Sequence, residues 1–172
     1  MPALSAVTGS SASFINVTTG SLQRTLPANL SGTGNNYLFP IGEGGSYRAI
    51  NLIDVITGST GPRLSATVSP TGAVTPDNVT VSIINPRYWS LINLNGGVFS
   101  GAAVELFDSG LNSKNTVCVA PAPSGIYSAV GGVSGGNSII TPALPNPGPY
   151  FAIGLLDYDI FYSYKSGDWH DP

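Results

Sequence analysis

Apolar and polar residues alternate along most of this chain, the two-residue period that turns one face of an extended strand toward a core. Arg63–Ser69 sets Leu64, Ala66 and Val68 on one side and polar residues on the other. In Tyr47–Ile56, Ile50, Leu52 and Ile56 share a face interrupted by Asp54, while Ala49, Ile53 and Val55 share the opposite face. Apolar positions on both faces predict a central strand covered on both sides. Asn78–Ile84 aligns Val79, Val81 and Ile83 and is expected to stop at Pro86. Tyr88–Leu94 follows, and Asn95-Gly96-Gly97 carries the signature of a hairpin before Phe99–Phe107. Asn115–Ala120, Ile126–Val130 and Ser138–Thr141 read as shorter strands. The longest uninterrupted segment is Tyr150–Tyr164, where Leu156, Tyr158, Ile160, Tyr162 and Tyr164 share one face and Gly154 marks a bend or bulge. No window shows helical spacing. About nine to eleven strands joined by short turns predict an all-β, two-layer antiparallel β-sandwich, immunoglobulin-like or jelly-roll-like. Residues 13–165 are expected to form the domain, with 1–12 a disordered or linker segment and 166–172 a linker to a following module.

Composition sharpens this picture. The chain has 172 residues, enough for one core, and 42% of them are hydrophobic. Charged residues make up 9%, against about 25% in an average soluble domain. With 22 Gly and 14 Pro, turns are frequent and the polar surface must come from Ser, Thr and Asn. That mixture is common in secreted β-rich proteins. The net charge is -3 and the six Lys and Arg are scattered. This excludes the basic stripe of a nucleic-acid binder and a polybasic membrane patch. No apolar stretch reaches the roughly 18 residues that span a bilayer, so direct membrane insertion is not expected. Met1-Pro2-Ala3-Leu4 lacks the basic start and apolar run of a signal peptide, as an internal piece of a longer chain would. The single cysteine, Cys118, cannot form an internal disulfide and reads as a small buried strand residue in Thr116–Ala120.

Little in the sequence assembles reactive chemistry. The lone histidine, His170, lies in the tail, and no G-x-S-x-G elbow is present. Asp157 and Asp159 share a strand face, as a glycosidase pair would, but read better as a solvated or hydrogen-bonded strand end; so do Glu105 and Asp108. Asp157 and Asp159 are the leading candidates for a structural calcium, with Asp108 and Asp77-Asn78 behind them, although no D-x-D-x-D-G loop exists. No other cofactor is expected. Tyr158, Tyr162 and Trp169 are candidate ligand-contacting aromatics. In Arg87-Tyr88-Trp89, Trp89 is expected to fill the core, Tyr88 to face outward, and Arg87 to stack on a ring or pair with a carboxylate. Gly131–Asn137 has no Lys and no following helix, so it reads as a mobile surface loop and not a phosphate cradle.

Several phrases then coincide: Leu22–Leu30 (LQRTLPANL), Tyr37–Gly42 (YLFPIG), Gly45–Arg48 (GSYR), Arg87–Leu91 (RYWSL) and Gly148–Gly154 (GPYFAIG). Together they resemble an immunoglobulin-like β-sandwich module of large, adhesin-like cell-surface proteins of the Bacteroidota, exported by type IX secretion. Ser166–Pro172 resembles the opening of a following module. The resemblance covers roughly Ser13 to Lys165. It implies an extracellular, cell-surface location and a structural or adhesive role without catalysis. The implied partners are neighbouring modules of the same polypeptide and surface glycans or proteins. Two other functions stay open on the residues alone, a carbohydrate-binding module accessory to an enzyme and a self-assembling fibre or sheath subunit.

Overall fold

The computed structural model describes residues 7–72 and 74–156, and within them the chain is all β. Seven strands lie side by side in one sheet, in the order Leu22–Thr25, Arg63–Ser69, Val81–Asn93, Tyr150–Leu156, Asn115–Ala120, Ile126–Gly131 and Thr75–Pro76. A second sheet runs Val133–Ser134, Ser138–Ile140, Phe99–Phe107, Ile50–Thr57 and Tyr37–Phe39, with Leu144–Pro145 also on Phe99–Phe107. A small third sheet joins Ile15–Asn16, Ile41–Glu43 and Ser46–Tyr47. Among the described residues sixteen strands stand where nine to eleven were expected, and eight of them are only two or three residues long. All pairings are antiparallel except Ile15–Asn16 on Ile41–Gly42 and Ile126–Tyr127 on Thr75–Pro76.

The inner faces close on one core. Leu64, Ala66, Val68, Trp89, Leu91, Val117, Phe151 and Ile153 meet Phe39, Ile50, Leu52, Val55, Val104, Leu106 and Ile139. Each fully buried aliphatic or aromatic side chain contributes about 1.5–3 kcal/mol, so this interior, with no internal disulfide available, holds the fold. A smaller cluster sits on the outer face of the seven-stranded sheet. There Val81, Cys118, Ala120, Tyr127 and Ala152 pack with Val74, Tyr88 and Tyr150. Burial first, and then the nearby Asp77 charge, push the Cys118 thiol up to about 12. We expect native protein at pH 8 to leave this thiol unmodified by a thiol-reactive disulfide reagent over hours, and denatured protein to react within minutes. Rapid native labelling would show that the outer cluster opens.

Three sequence expectations change. Ile50–Thr57 does not bury both faces. Asp54 adopts φ 55°, and Asp54 and Val55 together stand opposite Ala102, so the strand bulges and its inward side switches parity. Val55 and Thr57 therefore point inward after Asp54, while Ile56 is exposed. Pro86 does not end its strand, which continues to Asn93. Asn85, Pro86 and Arg87 stand opposite Ile153 alone, so the bulge forms where no ladder N–H is needed. Gly154 lies beside this irregularity, which is carried by its neighbour. Val79, which the alternation groups with Val81 and Ile83, is exposed while Val81 is buried, because the ladder starts only at Val81.

The Asn95-Gly96-Gly97 turn is not a hairpin either. Val81–Asn93 and Phe99–Phe107 belong to different sheets, so the turn carries the chain across the sandwich. Asn95 Oδ1 accepts the N–H groups of Arg63 and Gly97, and its amide donates to the Gly61 carbonyl, which ties the turn to the other crossing loop. A Cβ on Gly97 would sit 2.5 Å from the Gly61 oxygen, so only glycine fits this approach. By contrast, the chain does reverse as a hairpin after Ile41. Gly44 and Gly45, at φ 56° and 78°, turn Glu43 back onto Ser46, the double positive φ of a two-residue hairpin.

Arg24 closes one side of the sandwich. Its Nη1 donates to the Leu38 carbonyl at 2.6 Å, and its guanidinium lies over Tyr37 and Phe39 at 5.3 and 5.7 Å, linking an edge strand of each large sheet. Burial lowers the Arg24 pKa from its ordinary value, and the neighbouring Tyr37 partly restores it.

Candidate functional site

Where the three sheets converge, four of the few charged side chains meet. Asp108 follows the Phe99–Phe107 strand and is 6% exposed. Arg48 sits in the kink between Tyr47 and Ile50, and its Nη1 reaches Asp108 Oδ1 at 2.6 Å. Arg87 reaches Oδ2 at 3.1 Å from the bulge beside Pro86, and its Nε faces Glu43 Oε2 at 3.9 Å. The bulge therefore has a purpose legible in the geometry: it turns Arg87 toward an acid on the other sheet. The N–H of Ser109 caps Asp108 Oδ1 at 2.7 Å. Trp89 Nε1 donates to the Arg48 carbonyl at 2.8 Å, anchoring the kink to the centre of the core. Burial pulls the Arg48 pKa below its ordinary value and Asp108 pushes it back, with Arg87 and Glu43 acting in opposite directions.

Two clefts flank this cluster and share Arg48, Asp108 and Ser109. One, of about 620 Å³, lies between the Arg87 bulge and Ser109–Asn112. The other, of about 530 Å³, is lined by Ser46, Tyr47, Phe107, Ser109 and Asn137. Asn137, the last residue of the Gly131–Asn137 segment expected to be a mobile loop, is part of this wall. Val133–Ser134 and Ser138–Ile140 pair as a hairpin, and the carbonyls of Gly136 and Asn137 accept the N–H groups of Leu111 and Asp108. Tyr47 and Phe107 meet edge to face with ring centroids 5.2 Å apart. Burial raises the Tyr47 pKa, and the nearby Glu105 adds to the shift.

The other residues singled out from the sequence are dispersed. Asp157, Asp159, Tyr158, Tyr162, Trp169 and His170 lie outside the described residues. Glu105 accepts the Asn51 amide at 3.0 Å. Asp77 heads a turn in which its Oδ1 accepts the N–H groups of Val79, Thr80 and Val81 and its Oδ2 the Thr80 hydroxyl. Desolvation alone would raise its pKa, but the Thr80 hydroxyl and the three N–H groups outweigh it and hold Asp77 well below the usual carboxylate range. Both oxygens of Asp77 thus face hydrogen-bond donors of its own turn. Among the described residues no three His, Cys, Asp or Glu side chains gather at metal-binding distance.

The Asp77 turn has a pH signature. A depressed carboxylate contributes stability that is present above the unfolded pKa, near 4, and is lost as pH falls through the lower folded value. Hydrogen exchange of the Val79–Val81 amides is therefore expected to lose protection only in strong acid. In Asp77→Ala it should be lost at neutral pH while the core amides stay protected. Unchanged protection in that variant would show that the turn does not depend on the carboxylate.

The cluster of Arg48, Arg87, Asp108 and Glu43 as a unit was missed in the sequence, although Arg87 was expected to find a ring or an acid and Asp108 was noted in a different pair. In a chain with 9% charged residues, a charge beside an apolar strand is itself a signal of pairing, but its partners lie 21 to 60 positions apart and only the fold reveals them. No protein-family model, curated protein or solved structure matches this chain.

Proposed function

We propose that this chain is a non-catalytic structural or adhesive module of a larger extracellular or cell-surface protein. One observation carries the reading. Each of the five carboxylates among the described residues is engaged by a group of the chain itself: Asp108 and Glu43 by guanidinium groups, Glu105 by an amide, Asp54 and Asp77 by backbone N–H groups. The Cys118 thiol is sealed in the outer cluster. Side chains that hold each other in place brace a body; a reaction needs a group left poised to exchange protons or bonds. The low-charge, Ser-, Thr- and Asn-rich surface and the resemblance to adhesin-like modules of the Bacteroidota support the location. Affinity in such proteins grows by repetition of weak units along one polypeptide.

The test is antibody labelling of the organism that makes the protein. Intact cells, or their culture medium, are expected to carry the epitope, and mild protease treatment of intact cells should remove the cell-bound share. Labelling that requires permeabilised cells would place the protein inside and end the proposal. So would turnover of any glycoside, ester or peptide that a single substitution in the domain abolishes.

A further inference from the structure

The cleft of about 530 Å³ has an unusual lining for a chain so poor in charge. Its volume falls within the roughly 300–1,000 Å³ of small-ligand sites. Tyr47 and Phe107 form an apolar corner, each ring half-buried so that part of it reaches the surface. Phe14 backs Tyr47 at 5.9 Å, which holds that ring in place. Around this corner stand Ser46, Ser109 and Asn137. Hydroxyl and amide groups both donate and accept hydrogen bonds, so they suit a ligand whose groups do the same. The Asn137 backbone carbonyl is tied to the Asp108 N–H at 3.1 Å while the residue as a whole stays exposed, so the loop is fixed and its side chain meets solvent.

The charges argue for a neutral ligand. Asp108 faces the cleft, but its oxygens are engaged by Arg48 at 2.6 Å and Arg87 at 3.1 Å. An anion or a cation would have to compete with that pairing; an uncharged polar ligand would not. A purely apolar ligand would strip water from the serine and asparagine side chains without replacing their hydrogen bonds. A pyranose ring meets every requirement. Its C–H face packs on an aromatic ring, and its rim of hydroxyls alternately donates and accepts.

We propose that the cleft bordered by Tyr47, Phe107, Ser46, Ser109 and Asn137 binds a neutral sugar unit of a surface glycan. This rests on the adhesive reading above and gives it a ligand class. The aromatic corner supplies the contact area, and the polar rim sets the orientation.

The test is a backbone-amide NMR titration of the whole chain with glucose, galactose, mannose, lactose and cellobiose, with glucuronic acid as the charged control. At least one neutral sugar is expected to shift the amides of Gly45–Arg48, Phe107–Ser109 and Asn137 at millimolar concentration. Tyr47→Ala is expected to weaken that binding about tenfold, the equivalent of about 1.4 kcal/mol. Because Tyr47 also packs on Phe14 and Phe107, Asn137→Ala is the second variant. Its site is exposed, and it should weaken binding several-fold with the spectrum of the core unchanged. Silence with every neutral sugar, preference for glucuronic acid, or shifts that survive both substitutions would overturn the assignment. Such a result alongside labelling of intact cells would remove the sugar and leave the surface module standing.

Discussion

Asp108→Ala is expected to destabilise the protein by about 3–5 kcal/mol, the cost of leaving buried charges without their partner. The substitution leaves the Arg48 and Arg87 guanidinium groups, 11% and 20% exposed, facing each other without the acid between them. It also frees the Ser109 N–H that the carboxylate accepts. For a domain of this size, 1 kcal/mol corresponds to about 2–4 °C, so thermal unfolding should shift down by about 10 °C. The loss belongs to the unpaired charges and not to a missing net attraction. Combining Asp108→Leu with Arg48→Met and Arg87→Met is therefore expected to recover most of it. Chemical denaturation checks both variants. A loss under about 1 kcal/mol in Asp108→Ala would place the cluster among ordinary exposed ion pairs, and the three sheets would not depend on it.

Trp89→Ala should be as severe, about 3–5 kcal/mol, since a fully buried aromatic leaves a cavity that the surrounding sheets cannot close. Trp89 pairs with Phe151 and Val68 on its own sheet and is the largest fully buried side chain among the described residues. It also donates to the Arg48 carbonyl, so its loss loosens the kink that aims Arg48 at Asp108. Trp89→Phe separates the two effects. It keeps most of the volume and loses the N–H, and a buried carbonyl left without a partner costs about 1–3 kcal/mol. If both the alanine and the phenylalanine variants unfold at the wild-type denaturant midpoint, the tryptophan is not the centre of this core.

The inward faces were legible in the sequence wherever the two-residue period ran unbroken. Leu64, Ala66 and Val68 lie inward as their alternation predicts, and Trp89 lies in the core with Tyr88 on the outer face. The period misled where a local conformation reset it. Asp54 at positive φ shifts parity by one residue, while the Asn85-Pro86-Arg87 bulge inserts two residues and carries the strand past a proline, and neither leaves a mark that alternation can read. At Gly44-Gly45 the loop length fixes the hairpin locally, whereas Asn95-Gly96-Gly97 carries the hairpin signature and does not form one. That turn bonds to Gly61 and Arg63 of another loop, a long-range choice that short-range signals do not contain. The candidate site was least legible of all. Tyr47, Phe107 and Asn137 come from three separate segments, and what joins them is the convergence of sheets around Asp108.

Native-state hydrogen exchange tests most directly whether the two large sheets close over a single interior and open as one body. Core amides of both sheets, such as those of Leu52 and Val104 on one and Val117 and Phe151 on the other, are expected to exchange with a common free energy equal to that of global unfolding. Asp108→Ala should lower all of them together. Amides of one sheet that exchange at a much lower free energy than those of the other would contradict it, because the sheets would then be separate bodies in contact.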